Sequence, residues 1–274
     1  MSMGEPASAR LSVSRFAGSE AGAWSNSYLV AGDSQALLFD VVQLRSDAVR
    51  LAETIERSGK ALTTVMISHA HPDHFLGLDV IVDRFPQARV VATHEVVADL
   101  RTDGPWMYSV LSEKLGPEAP SRLVIPEPLT DKALHVDGVP LDVVEFGEGE
   151  SKHMGCLYLA DTRAFLAADL IYDKTHLYLQ ERHLESWLDR LDEFETFAEG
   201  RVSTVYPGHG DPSDLSLTVR TRSYLRDFAE AVRAGDAASA ERRIRERYPD
   251  HRVEQFLTFF SIPAYFPPTA TAEP

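Results

Sequence analysis

The chain contains one cysteine, Cys156, in 274 residues. A single thiol closes no intramolecular disulfide, so the fold does not depend on an oxidising compartment. No apolar run approaches the length of a membrane span. The opening stretch MSMGEPASARLSVSRF lacks a basic segment followed by an apolar one, the pattern of an export signal. The expectation is a cytoplasmic protein that does not enter a membrane. Positive charge is also scarce: 27 Lys and Arg stand against 42 Asp and Glu, a formal net charge of −15. Such a surface repels phosphate backbones and anionic bilayers, which argues against nucleic acid and membrane as partners. Internal repeats and low-complexity linkers are missing as well.

What remains is an ordinary globular composition, 44% hydrophobic and 25% charged. The length suffices for a substantial core. SNSYLVAG and QALLFDVV, separated by a short turn, read as a β-hairpin. Residues 46–57 place Val49, Ala52 and Ile55 at helical spacing. ALTTVMISHA reads as a buried strand, residues 74–85 as a helix closed by Pro86, and ARVVATHE as another strand. A helix near 106–115 is followed by irregular chain to residue 135. PLDVVEF, CLYLA and AFLAADLI then read as strands, residues 181–199 as an amphipathic helix, VSTVYPGHG as a strand into a loop, and 214–247 as two helices. Strands alternating with helices give an α/β protein with sheets flanked by helices. The expected division is a main domain over 1–215 with a helical extension, 216–274, packed on it.

The chemistry concentrates in SHAHPDHFLG, residues 68–77, where three of the chain's ten histidines fall within six positions. A strand ending at Ser68 sends His69 and His71 to one side, because side chains alternate along extended backbone. Pro72 keeps His71 out of the helical region. The chain then turns, and Asp73 and His74 face elsewhere at a helix start. The spacing H-x-H-x-D-H therefore offers two ligand sets a few ångströms apart. Imidazole and carboxylate suit zinc, and also iron or manganese. Two more ligand types stand at strand ends: Asp169 after AFLAA, and His209 between two glycines that allow close backbone approach.

These motifs resemble the metallo-β-lactamase-fold superfamily. SHAHPDHFLGL matches its H-x-H-x-D-H signature. LLFD, ending at Asp40, is similar to the strand before the family's first helix. Asp169 in FLAADLIYD stands where the bridging aspartate of a Thr-Gly-Asp-like sequence stands. His209 in VYPGHG stands at the last histidine ligand. The order holds across residues 25–212. The resemblance implies a four-layer αββα sandwich with C-terminal helices. It also implies two divalent metal ions, zinc first with iron or manganese as alternatives, held by His69, His71, Asp73, His74, Asp169 and His209. Asp40 would orient a ligand histidine.

One position departs from the pattern. After LDVVEF the family has a histidine in a GHTxG-like loop, whereas this chain has GEGESKHMG. Alignment on Gly147 makes Glu148 the ligand, with His153 second and Glu150 third.

The implied reaction is hydrolysis of a small ester, lactone or thioester by a metal-bridged hydroxide, as in members of the glyoxalase II or lactonase kind. Asp73 would serve as ligand or proton acceptor, and Tyr172 or His176 would donate a hydrogen bond to the leaving group. Two alternatives stand beside it: a mononuclear iron oxidoreductase similar to persulfide dioxygenases, and a non-catalytic binder of a small metabolite. The expected partner is a small-molecule substrate, with room for a homo-oligomer.

Overall fold

The computed structural model describes residues 11–267. Residues 1–10 of the opening stretch read for an export signal, and residues 268–274 of the C-terminal tail, lie outside that range. Backbone contacts divide the described chain into two units, residues 11–145 with 153–166, and residues 146–152 with 167–267.

The first unit is built on a six-stranded sheet. β1 (Ser12–Ala17), β2 (Asn26–Ala31) and β3 (Gln35–Phe39) run antiparallel, and the expected hairpin is β2–β3, with Tyr28 opposite Phe39. β3, β4 (Ala61–Met66), β5 (Arg89–Ala92) and β6 (Glu127–Pro128) run parallel. Parallel neighbours need crossovers. α1 (Arg45–Arg57) supplies the first, and α2 (Pro72–Phe75) with α3 (Leu78–Arg84) the second. α1 forms on this face because Ala48, Leu51, Ala52 and Ile55 make one apolar stripe, all buried against Leu38, Val65 and Ile81. Residues 74–85 are not one helix. The chain breaks at Gly77, whose β-carbon would lie 2.5 Å from the Val42 carbonyl oxygen, and whose N–H donates to that oxygen at 2.9 Å.

α4 (His94–Leu115) starts twelve residues earlier than its sequence suggests, capped by Thr93, and carries Pro105 in its interior. The stretch read as irregular ends in a strand, β7 (Ala133–Val136), which pairs antiparallel with β8 (Val139–Phe146). Asp137 and Gly138 join them, both at positive φ (48° and 80°), the dipeptide and geometry of a tight hairpin turn. β9 (Met154–Leu159) pairs antiparallel with the start of β10 (Ala164–Tyr172). Within this unit β9 passes close to the end of β4. A β-carbon on Gly155 would sit 2.7 Å from Thr93 Cγ2, and the Gly155 N–H donates to the Ser68 carbonyl at 2.8 Å.

β10 ends in the second unit, where its neighbour is β11 (Thr204–His209). α5 (Leu184–Ala198) buries Leu184, Trp187, Leu191, Phe194 and Ala198, and the Trp187 indole donates to the Leu170 carbonyl at 3.0 Å. α6 (Ser216–Ala234), α7 (Ala237–Arg247), a π-helical turn (Phe256–Ser261) and α8 (Ile262–Tyr265) follow. This is the two-sheet α/β architecture with C-terminal helices that the resemblance implies. No helix among the described residues is long and apolar enough to cross a membrane.

Candidate metal centre

In the first unit the site starts from Asp40. It follows β3 in a left-handed conformation (φ 62°), and its N–H donates to the Met66 carbonyl at the end of β4. This turns a buried carboxylate toward Ser68. The Ser68 N–H donates to Asp40 Oδ1 and the Ser68 hydroxyl to Oδ2, both at 2.7 Å. His74 Nδ1 lies 3.0 Å from the same Oδ2, and His69 Nδ1 lies 2.8 Å from Ser68 Oγ. A carboxylate only accepts, so His74 carries its proton on Nδ1. The serine has one proton and gives it to Asp40, so His69 also donates from Nδ1. Both rings therefore present Nε2 as their basic nitrogen, the tautomer a metal ligand needs. Burial pushes the Asp40 carboxyl above its ordinary range against the opposing pull of His74 and Ser68.

The rest of the motif folds around these two rings. His71 is extended (φ −93°, ψ 141°) ahead of Pro72, as its sequence predicts. Its ring centroid is 4.8 Å from that of His69, and His74 is 4.4 Å from His69. α2 is stitched to the loop after β3, since Val41 N–H donates to the His74 carbonyl at 2.9 Å. Asp73 Oδ2 lies 3.6 Å from His74 Nε2. His153, the second choice for the missing ligand, is occupied elsewhere: its Nδ1 lies 2.8 Å from Asp99 on α4.

The second unit carries the other half of the expected set. His209 Nε2 lies 3.4 Å from Asp169 Oδ2. Tyr172 organises the group. Its hydroxyl donates to Asp169 Oδ2 at 2.5 Å and lies 3.4 Å from Glu150 Oε1, while its ring stacks on His209 at 5.1 Å. Gly208 is required here, because a β-carbon at that position would fall 1.7 Å from Asp169 Oδ1. Glu150 is 2% exposed. Glu148, the first choice, is instead 55% exposed, accepts a hydrogen bond from Ser186 and lies near His183. The loop turns between the two glutamates, with the Gly149 N–H donating to the Ser151 carbonyl. The buried carboxylate of GEGESKHMG is thus Glu150.

His176 occupies a different neighbourhood from Asp169. Its Nδ1 bonds the Tyr224 hydroxyl at 2.8 Å, and its ring lies 5.6 Å from His251. Burial, with the positive charge of His251 and Arg245, lowers it to about 4. Sequence reasoning missed the supports of the His209 loop. Asp173 N–H donates to the His209 carbonyl at 3.0 Å, and the Asp173 carboxylate accepts from Arg220 at 2.8 Å. Thr221 Oγ1 accepts from the Tyr172 N–H at 3.2 Å. These partners stand 47 and 49 residues apart, beyond any local motif.

The donor set fits a divalent ion. Two ligands about 2.05 Å from a tetrahedral zinc sit roughly 3.4 Å apart. The His209–Asp169 and His74–Asp73 separations of 3.4 and 3.6 Å match that spacing. The candidate ligand side chains are His69, His71, Asp73 and His74 in the first unit, and Glu150, Asp169 and His209 in the second. All are imidazole or carboxylate, which does not by itself select zinc over iron or manganese.

Comparison with known proteins agrees with this chemistry. The model of the metallo-beta-lactamase superfamily matches residues 25–209, more than half of the chain. A beta-lactamase domain protein from Burkholderia ambifaria superposes with a TM-score of 0.68 at 17% identity, over 93% of this chain and 85% of that one. A metallo-beta-lactamase family protein from Thermus thermophilus gives 0.67 at 19% identity, over 93% and 91%. At these identities the likeness concerns the fold. In sequence, the uncharacterized protein YobT of Bacillus subtilis (strain 168) is 32% identical over 66 residues, 24% of this chain and 28% of that protein's length. The family match contains Asp40, the whole of SHAHPDHFLG, Glu150, Asp169 and His209, and the chain belongs to the metallo-β-lactamase superfamily.

Proposed function

We propose that this protein is a metal-dependent hydrolase acting on a small ester, lactone or thioester. His69, His71, Asp73, His74, Glu150, Asp169 and His209 are assigned as the ligands of two divalent ions, zinc foremost. The observation that carries the reading is the locked tautomer of His69 and His74, because an Nδ1–H held by Ser68 and Asp40 leaves Nε2 to coordinate. Bound ions supply Lewis acidity and bring the pKa of water toward neutrality.

The chain's own residues have distinct tasks in this reading. Asp40 and Ser68 orient two imidazoles. Tyr172 steadies Asp169 through its hydroxyl and His209 through its ring, and at 2% exposure it supports ligands rather than meeting a leaving group. Asp73, whose side chain is 12% exposed, is the most accessible of the seven and the residue placed to accept a proton. His176, fastened to Tyr224, has no part in proton transfer.

A small substrate fits a chain whose net charge repels polyanions. A second reading, an iron-dependent oxidoreductase, draws on Glu150: a carboxylate in place of an imidazole favours a harder ion than zinc. Metal analysis of the purified protein, then assay on a panel of esters, lactones and thioesters, decides between them. Two zinc-like ions with hydrolysis that Asp169→Ala abolishes support the first. One iron with oxygen consumption supports the second. Metal-loaded protein that hydrolyses no panel member refutes the hydrolase assignment.

A further inference from the structure

The second unit contains a cleft of about 500 Å³, within the range of small-molecule sites. Tyr172, whose hydroxyl holds Asp169, lines it at one side, while Glu150, Asp169 and His209 themselves do not. Its lining includes the mutually packed rings of Tyr224, Tyr248 and His251. The Tyr224 hydroxyl is hydrogen-bonded to His176 Nδ1 at 2.8 Å and Tyr248 gives its own hydroxyl to Asp227, so both phenols are engaged within the protein. Val219 adds an apolar surface that is 59% exposed, unusual for a large aliphatic side chain in this chain.

The charge in the lining runs against that of the whole molecule. In a chain of net charge −15, the cleft is lined by Lys174, Arg220 and Arg247 but by one carboxylate, Asp250. The two arginines are not used up by their ion pairs. Arg220 gives Nη1 to Asp173 and Nη2 to Ser216, and Arg247 gives Nε to Asp227. A guanidinium has five N–H donors, so both retain donors for an acid. Lys174 reaches the lining from a left-handed backbone position, φ 48°, which a lysine adopts at a cost.

We propose that this cleft is a second binding site, for a small carboxylate with a flat apolar body. The carboxylate meets the Lys174, Arg220 and Arg247 cations, and the body lies against Tyr248 and Val219. Asp250 and the apolar lining at Val219, Leu177 and Pro249 disfavour a more highly charged, wholly polar anion such as phosphate. Hydrolysis of an ester, lactone or thioester releases a carboxylate, so the product of the proposed reaction belongs to this class. That link rests on the proposed function, whereas the site itself does not.

The test is calorimetric titration of the full chain, stripped of metal so that coordination cannot contribute, with benzoate, benzamide and inorganic phosphate. Benzoate is expected to bind once per chain with Kd on the order of 1 mM. Loss of one charge-assisted contact in Lys174→Met or Arg247→Gln should weaken it about tenfold. Arg220→Met should do the same, and the other two variants keep the test valid if loss of the Asp173 partner impairs folding. Benzamide and phosphate should bind at least about tenfold more weakly. Absence of saturable benzoate binding overturns the proposal, as does binding indifferent to all three substitutions or matched by benzamide or phosphate. Metal-free titration keeps this outcome separate from failure of the hydrolase reading.

Discussion

Substituting Asp40 by Asn tests the link between fold and metal most directly. Asparagine tolerates the left-handed backbone that position 40 adopts, so the turn after β3 survives. Its carbonyl can still accept the Ser68 N–H. Its amide nitrogen then replaces Oδ2 and presents hydrogens to His74 Nδ1, where a carboxylate now accepts. Two donors cannot face each other, so His74 moves its proton to Nε2, the nitrogen assigned to the metal. Loss of such an outer partner typically costs 10–100-fold in metal affinity, about 1.4–2.7 kcal/mol. Folding without metal should change little, with a melting midpoint shifted by no more than about 4 °C, on the order of 1 kcal/mol. Chelator competition measures the affinity, and the visible spectrum of the cobalt-substituted protein reports the ligand field. Wild-type affinity in Asp40→Asn with an unchanged spectrum would refute the tautomer argument.

The choice of glutamate is settled by a pair of variants. Glu150→Gln should lower metal content after dialysis, by about tenfold in affinity, while Glu148→Gln retains it; the reverse pattern by mass spectrometry would return the ligand role to Glu148. Acid should also weaken the metal-free fold through His176. Its pKa is about 4 when folded against 6.5 when exposed, so between those values the unfolded chain binds more protons. Stability therefore falls as pH drops through that window, by about 3 kcal/mol at most. Urea midpoints at pH 7.5 and 4.5 should differ less in His176→Gln than in the natural chain, and an equal difference in both would show that another group carries the acid sensitivity.

What the sequence made legible was local. His69, His71, Asp73 and His74 share one strand end and one turn, so their arrangement follows from alternation and a proline. Asp169 and His209 each stand at a strand end, a weak mark by itself, and only the order of family motifs joins them to the cluster. Glu148 and Glu150 stand two apart in irregular chain, where no period tells inside from outside; the turn at Gly149 decides it. The sequence places this helix near 106–115, whereas the Thr93 cap and the buried Val96, Val97 and Leu100 start α4 at His94. The single helix expected over 74–85 failed at Gly77 for a tertiary reason, the close pass of Val42. Ser68 and Arg220 left no trace in the sequence, because their partners lie 28 and 47 residues away.

Ala168 stands in β10 just before Asp169, buried and at φ 46°, where the family pattern has glycine. Holding alanine there costs about 1–2 kcal/mol, while glycine would lose about 0.5–1 kcal/mol more chain entropy on folding. The balance still favours glycine by about 0.5–1 kcal/mol, so alanine is held here against a modest strain. The two residues also differ in latitude. Glycine would let the backbone before Asp169 sample several conformations, whereas alanine narrows it to few. The carboxylate therefore stands on a stiff pedestal, and adapting the centre to an ion of another size would fall to the loop carrying Glu150 more than to β10.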